Sequence, residues 1–150
     1  MVLVGLPGAG KSSYVKPLGA TLSSDEIRRL LADDPADQTI HSRVFAVLRG
    51  LLRHRIELRR PVTYIDATNL RRSERKPYLE LAKRHGCRIE AIFFDVPLEV
   101  CRLRNRRRER VVPDEAIEKM ARRLQPPTRE EGFDRVRVVS STSTRATGPD

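Results

Sequence analysis

The chain has 150 residues and a mass of 17.2 kDa, the size of one domain built around a single hydrophobic core. Hydrophobic residues make up 39% and charged residues 33%, and no apolar run approaches the roughly 18 to 20 residues needed to cross a bilayer, which excludes a membrane span. Of 30 basic residues 25 are arginine, and against 20 acidic ones they leave a net charge of +10; a polyanionic partner or substrate is the expectation, with a merely solvated arginine-rich surface as its alternative.

Taken in chain order, MVLVGLPG shows no basic region, apolar stretch and cleavage site, so nothing directs export and a cytoplasmic location is expected. Val2 to Val4 read as a strand, followed by a glycine-rich turn and a helix from Lys11 that Pro17 cuts short. Thr21 and Leu22 lead into Ser23, Ser24 and Asp25, small polar residues suited to capping a helix that carries Ile27, Leu30 and Leu31. From Thr39 to Arg60, Ile40, Val44, Val47, Leu48, Leu51 and Leu58 follow helical spacing. Val62 to Ile65 form a further strand ending at Asp66, and a helix runs from about Ser73 to His85 before Gly86 stops it. Arg88 to Asp95 contains the run AIFF of a buried parallel strand. Pro97 and Pro113 each open a helix, the second ended by Pro126 and Pro127, and Val136 to Val139 supply the last strand. Residues 1–139 then form one domain, and the aperiodic tail of residues 140–150 is expected to be disordered. Strands alternating with helices imply a three-layer α/β sandwich around a parallel sheet.

Two cysteines, Cys87 and Cys101, have neither the spacing nor the neighbours of a zinc site or disulfide framework and are expected to be reduced core residues. His41, His54 and His85 lack metal-ligand spacing, and the tyrosines and phenylalanines sit mostly at apolar positions, where core packing is favoured over base stacking.

The chemistry concentrates in Gly5-Leu6-Pro7-Gly8-Ala9-Gly10-Lys11-Ser12, which matches G-x-x-x-x-G-K-[ST] between a strand and a helix. Gly5, Gly8, Ala9, Gly10, Lys11, Ser12 and Ser13 form a loop whose backbone N–H groups turn toward phosphate oxygens at a helix N-terminus. Lys11 would bridge the β- and γ-phosphates of a nucleoside triphosphate such as ATP, and Ser12 would coordinate Mg2+. Asp66, at a strand end, would support the same ion through water, and Asn69 would bond the acceptor or the phosphate loop; alternatively, residues 66–69 form an Asx turn. Asp25, also at a strand end, would take the proton of a hydroxyl nucleophile, with Arg28 one turn later holding an acceptor phosphate. The plain alternative is that Asp25 caps its helix and Arg28 is solvated. Arg104 and Arg108, four apart, would close on the triphosphate, whereas Arg102, Arg106, Arg107 and Arg110 fit a basic face or nucleic-acid contact at least as well.

The ordered set GLPGAGKSS, SSDEIRRLLADDPADQT, TYIDATN, VCRLRNRRR and REEGF, over about residues 1–139, resembles the 5'-hydroxyl polynucleotide kinase module of bacterial end-healing enzymes. The resemblance implies a P-loop NTPase fold of kinase type with an arginine-rich lid. It implies transfer of the γ-phosphate of ATP or another nucleoside triphosphate to 5'-OH ends of DNA or RNA. Lys11 and Ser12 would serve the donor, Asp25 as general base, Arg28 the acceptor phosphate, and Arg104 and Arg108 the lid. Bacterial members often carry phosphatase and ligase modules for which this chain has no room, so it is expected to be either a stand-alone kinase with phosphatase and ligase partners or a module excised from a longer protein. Val111 stands where the family can place a further lid arginine, with Arg110 beside it. A small-molecule P-loop kinase, or a nucleic-acid-binding ATPase that hydrolyses without transfer, are the competing readings.

Overall fold

The computed structural model of the protein describes residues 1–141. Five strands, β1 (Val2–Val4), β2 (Thr21–Ser23), β3 (Tyr64–Asp66), β4 (Glu90–Asp95) and β5 (Arg135–Ser140), form one parallel sheet in the order β2-β3-β1-β4-β5. Alternation along the strands separates two cores. Val2, Val4, Ala91 and Phe93 face one side, where helices α2 (Ser24–Ala32), α3 (His41–Glu57) and α4 (Arg72–His85) bring Ile27, Val44, Leu48, Leu52, Tyr78 and Leu81. Leu3, Ile92 and Phe94 face the other, against Val15, Cys101 and Ile117 of α1 (Lys11–Val15), α5 (Leu98–Arg106) and α6 (Asp114–Arg123). This is the three-layer α/β sandwich expected from the alternating pattern. Among the described residues no helix is long and apolar enough to cross a membrane.

Several boundaries and faces differ from the sequence expectation. The long helix occupies 41–57 rather than 39–60, because Asp34 and Asp37 accept bonds from the backbone of Ala36 and Thr39 and hold the preceding segment in tight turns. Its buried stripe is Val44, Leu48 and Leu52, while Leu51 and Leu58 are exposed. On α2 the inward residues are Ile27 and Arg28, and Leu30 and Leu31 point out. Strand β5 continues to Ser140, one residue beyond the expected domain end, and residues 142–150 of the expected disordered tail lie outside the described residues. The cysteines match the expectation: Cys101 is buried, Cys87 half-buried and both are free.

One buried ion pair fastens the sheet's carboxyl end. The fully buried Arg75 of α4 donates from Nε and Nη2 to Glu131 at 2.8 and 2.9 Å, and from Nη1 to the carbonyls of Asn69 and Leu70 at 2.8 and 3.1 Å. Glu131, in a 3-10 turn over Arg129–Glu131, also accepts from the Thr128 backbone at 2.8 Å. One guanidinium thus ties α4 to that turn and to the loop leaving β3. Removing one partner leaves a buried charge and orphaned carbonyls, a loss of about 3–5 kcal/mol. Urea denaturation of Arg75→Met should show a destabilisation of that order, and Arg75→Met/Glu131→Met should recover the part due to the unpaired Glu131 carboxylate but not the part due to the carbonyls of Asn69 and Leu70.

Candidate active site

The loops after β1, β2 and β3 open on one cleft of about 910 Å³ at the carboxyl ends of the strands, where ligands of open α/β sheets bind. The phosphate loop is its floor. Two glycines there are fixed by space: a Cβ on Gly5 would lie 3.0 Å from Phe94 Cβ, and one on Gly8, at φ +81°, would meet the Cys101 carbonyl at 2.4 Å. Gly10, at φ +96°, starts α1, and the buried Ala9 packs into the second core. Ser13 also lines the cleft.

Lys11 is nearly buried, and its ammonium donates to the carbonyls of Gly5 and Leu6 at 2.8 and 2.7 Å. Burial pulls its pKa down to about 8, with Asp66 and Asp25 opposing that shift and Arg108 adding to it. Ser12 Oγ donates to Asp66 Oδ2 at 2.7 Å, joining the first turn of α1 to the end of β3. A hydroxyl and a carboxylate so placed are hard oxygen donors and fit Mg2+, whose remaining positions nucleotide oxygens and water would fill. Among the described residues no group of three or more His, Cys, Asp or Glu side chains makes a self-sufficient metal site.

Asp25 sits in the first turn of α2 and lines the same cleft. Ser23, not Asp25, caps this helix: its hydroxyl accepts from the Glu26 backbone at 3.2 Å, which leaves the Asp25 carboxylate to the cleft. Asp25 Oδ1 receives both Arg28 Nη1 at 3.2 Å and Arg110 Nη1 at 2.7 Å. Arg28 is 4% exposed, lines the cleft, and its Nε is buried with no partner.

The basic segment divides by direction. Arg104, Arg107, Arg108 and Arg110 line the cleft, and Arg104 Nη1 lies 3.5 Å from the Ala9 carbonyl. Arg102 pairs instead with Glu99 and Glu118, and Arg106 with Asp114 at 2.9 Å, so both are turned away and neutralised. Arg107 and Arg110 therefore join the site, which the sequence left open. The fully buried Asn105 holds this arrangement: its amide donates to the Val112 carbonyl at 2.6 Å and accepts the Val112 N–H at 3.0 Å, closing the loop that carries Arg107, Arg108 and Arg110.

Asn69 takes a different place from the one expected. It is buried, at φ +48°, and donates to the Leu3 carbonyl of β1 at 2.8 Å; it bridges the strand that enters the phosphate loop and does not line the cleft. The reverse holds for His41 and Phe45, assigned to neither site nor metal by sequence: both line the cleft wall. Their i, i+4 spacing on one helix was a visible signal, but it does not say which face they take.

A family model described as AAA domain matches residues 1–127. Among solved structures, the chain is similar to a gluconokinase from Sinorhizobium meliloti 1021, at 20% identity, a TM-score of 0.62, and 96% coverage of this chain and 82% of that one. A deoxyadenosine kinase from M. mycoides with bound dATP aligns at 14% identity and a TM-score of 0.48, covering 94% and 90%. The fold is that of a P-loop protein of kinase type.

The lowered Lys11 pKa sets a pH dependence for donor binding. Below about pH 8 the ammonium is charged; above it the free protein loses that charge, while a bound triphosphate favours it, so binding must take up a proton. Calorimetric titration with ATP-Mg should show affinity falling as pH rises from about 8 to 9.5, by at most about tenfold per unit. Lys11→Arg, always charged, should remove the bend near pH 8.

Proposed function

We propose, from the premise that this chain belongs to the AAA-domain family, that it transfers the γ-phosphoryl group of a nucleoside triphosphate to a hydroxyl group. The observation that carries this reading is that Lys11, Ser12 and Asp66 on the donor side and the Asp25 carboxylate line one cleft. A hydrolytic switch needs no carboxylate there; a phosphotransferase does.

In this reading the acceptor oxygen attacks the γ-phosphorus in line, the bond to the β,γ-bridging oxygen breaks, and the hydroxyl proton passes to the Asp25 carboxylate. The nucleoside diphosphate leaves. Lys11 holds donor phosphate oxygens, and Arg104 and Arg108, presented from the lid, stabilise charge as it moves onto the leaving group. Mg2+ held near Ser12 and Asp66 would supply neutralisation of the β- and γ-oxygens. Arg28, which lines the cleft beside Asp25, holds an anionic group of the acceptor.

Two acceptor classes meet this description. A 5'-hydroxyl end of DNA or RNA is supported by seven arginines lining the cleft: Arg28, Arg71, Arg104, Arg107, Arg108, Arg110 and Arg123. A small-molecule acceptor is favoured by the likeness to a gluconokinase, a kinase whose name denotes such an acceptor. The same donor machinery serves both.

Incubation with γ-labelled ATP, Mg2+ and a panel of 5'-hydroxyl oligonucleotides, a nucleoside 3'-monophosphate, a free nucleoside and gluconate separates them. Label on the oligonucleotides and nucleoside 3'-monophosphate selects the first class. Label on gluconate or the free nucleoside alone selects the second, and free phosphate with no labelled acceptor overturns the transfer reading. Lys11→Ala should lower transfer about a hundredfold to a thousandfold. Asp25→Asn should lower it about a hundredfold or more while leaving ATP-Mg affinity within about twofold.

A further inference from the structure

The acceptor wall of the cleft holds a feature that phosphoryl transfer itself does not require. His41 and Phe45 stand one turn apart at the start of α3, with ring centroids 4.7 Å apart and planes inclined by 44°. His41 is exposed and Phe45 half-buried, its inner edge packed on the first core, and both line the same cleft as Asp25 and Arg28. The other phenylalanines, Phe93, Phe94 and Phe133, are buried in the cores, which makes Phe45 the phenylalanine that meets ligand space.

We propose that Phe45, flanked by His41, is a stacking platform for a planar heteroaromatic ring of the acceptor, so that the acceptor unit is a nucleotide rather than an open-chain polyol. The reasoning is additive. Asp25 is the carboxylate that the reacting hydroxyl would approach, and the guanidinium of Arg28, lining the cleft beside it, offers positive charge to an anion. A half-buried aromatic ring lining the same cleft, beside the imidazole of His41, offers a surface for a flat ring. A hydroxyl, a phosphate and a flat ring in one ligand are the parts of a nucleoside 3'-phosphate, free or at the end of a strand. Stacking reads no sequence because every base offers a π-face, so the site selects for the presence of a base and leaves its identity open. This inference rests on the phosphotransferase reading for its kinetics but not for its binding.

The probe is 2-aminopurine riboside 3'-monophosphate, whose fluorescence falls on stacking, titrated onto the full chain. Wild-type protein should quench it. Phe45→Leu, which retains an apolar side chain toward the core, should remove the quenching and weaken binding about five- to hundredfold, and Phe45→Tyr should restore both. Thermal melting of each variant identifies loss of fold as the cause of any loss, and Phe45→Tyr keeps the test decisive if Phe45→Leu unfolds. In turnover, kcat/KM for a nucleoside 3'-phosphate should exceed that for the base-free sugar 3-phosphate by a similar factor, and Phe45→Leu should bring the two together. Absence of quenching, or equal quenching by folded Phe45→Leu, overturns the ring site whatever the label does. Equal turnover of base-free and base-bearing acceptors by wild type also overturns it. Quenching with no label on any acceptor supports the ring site and overturns the transfer reading instead.

Discussion

The contact between Gly8 and the backbone of α5 sets the distance from which the rest of the site follows. A side chain at Gly8 would bring its Cβ within 2.4 Å of the Cys101 carbonyl, so the phosphate loop and the lid helix touch main chain to main chain. At that separation Arg104 reaches the Ala9 carbonyl, and Gly10 lies under its guanidinium. Arg108 is near enough to Lys11 to disfavour its charge. A lid packed a side chain further away would present the same arginines to solvent. The left-handed φ of Gly8 and its missing Cβ are therefore one requirement, because any residue able to fill the space would also strain the turn.

The interior polar groups serve as struts for this geometry. Asn69 anchors β1 to the loop after β3, Asn105 closes the arginine-bearing loop onto Val112, and Arg75 gathers two carbonyls of the β3–α4 loop with Glu131. Each satisfies main-chain groups that irregular segments leave unpaired, which is how loops remain ordered at the end of a sheet. None of the three lies in the cleft, yet the positions of Asp66, of the lid arginines and of the loop between them depend on these bonds. Four side-chain atoms among the described residues are buried with no protein partner: Asn69 Oδ1 and the Nε of Arg28, Arg102 and Arg137.

The strands were legible because β-branched and aromatic runs end at glycine or at acidic and small polar residues, and because a parallel sheet needs continuous apolar segments such as AIFF. The donor loop was legible for a stronger reason: its glycines and lysine are spaced by phosphate geometry, which leaves little freedom. Direction was what the sequence did not convey. Six arginines between residues 102 and 110 read as one basic stretch, but the acids that withdraw Arg102 and Arg106 include Glu118 and Asp114 on a different helix. Leu30 and Leu31 are apolar yet exposed, while α2 turns the charged Arg28 inward beside Asp25. Helical spacing places residues on a face; only the neighbouring elements decide whether that face meets core, cleft or water.

The bridge from Arg110 to Asp25 spans 85 positions of sequence and joins the lid to the opposite wall. An anion entering beside Asp25 therefore meets a guanidinium that already has a carboxylate partner, and its arrival is an exchange of partners. The electrostatic gain is a difference between two pairings, smaller than either, and Asp25 keeps its remaining bond from Arg28. Two guanidiniums share one carboxylate before the anion arrives, so the anion takes up positive charge that this pairing leaves in excess. A neutral visitor offers Arg110 nothing in return and leaves the two walls joined.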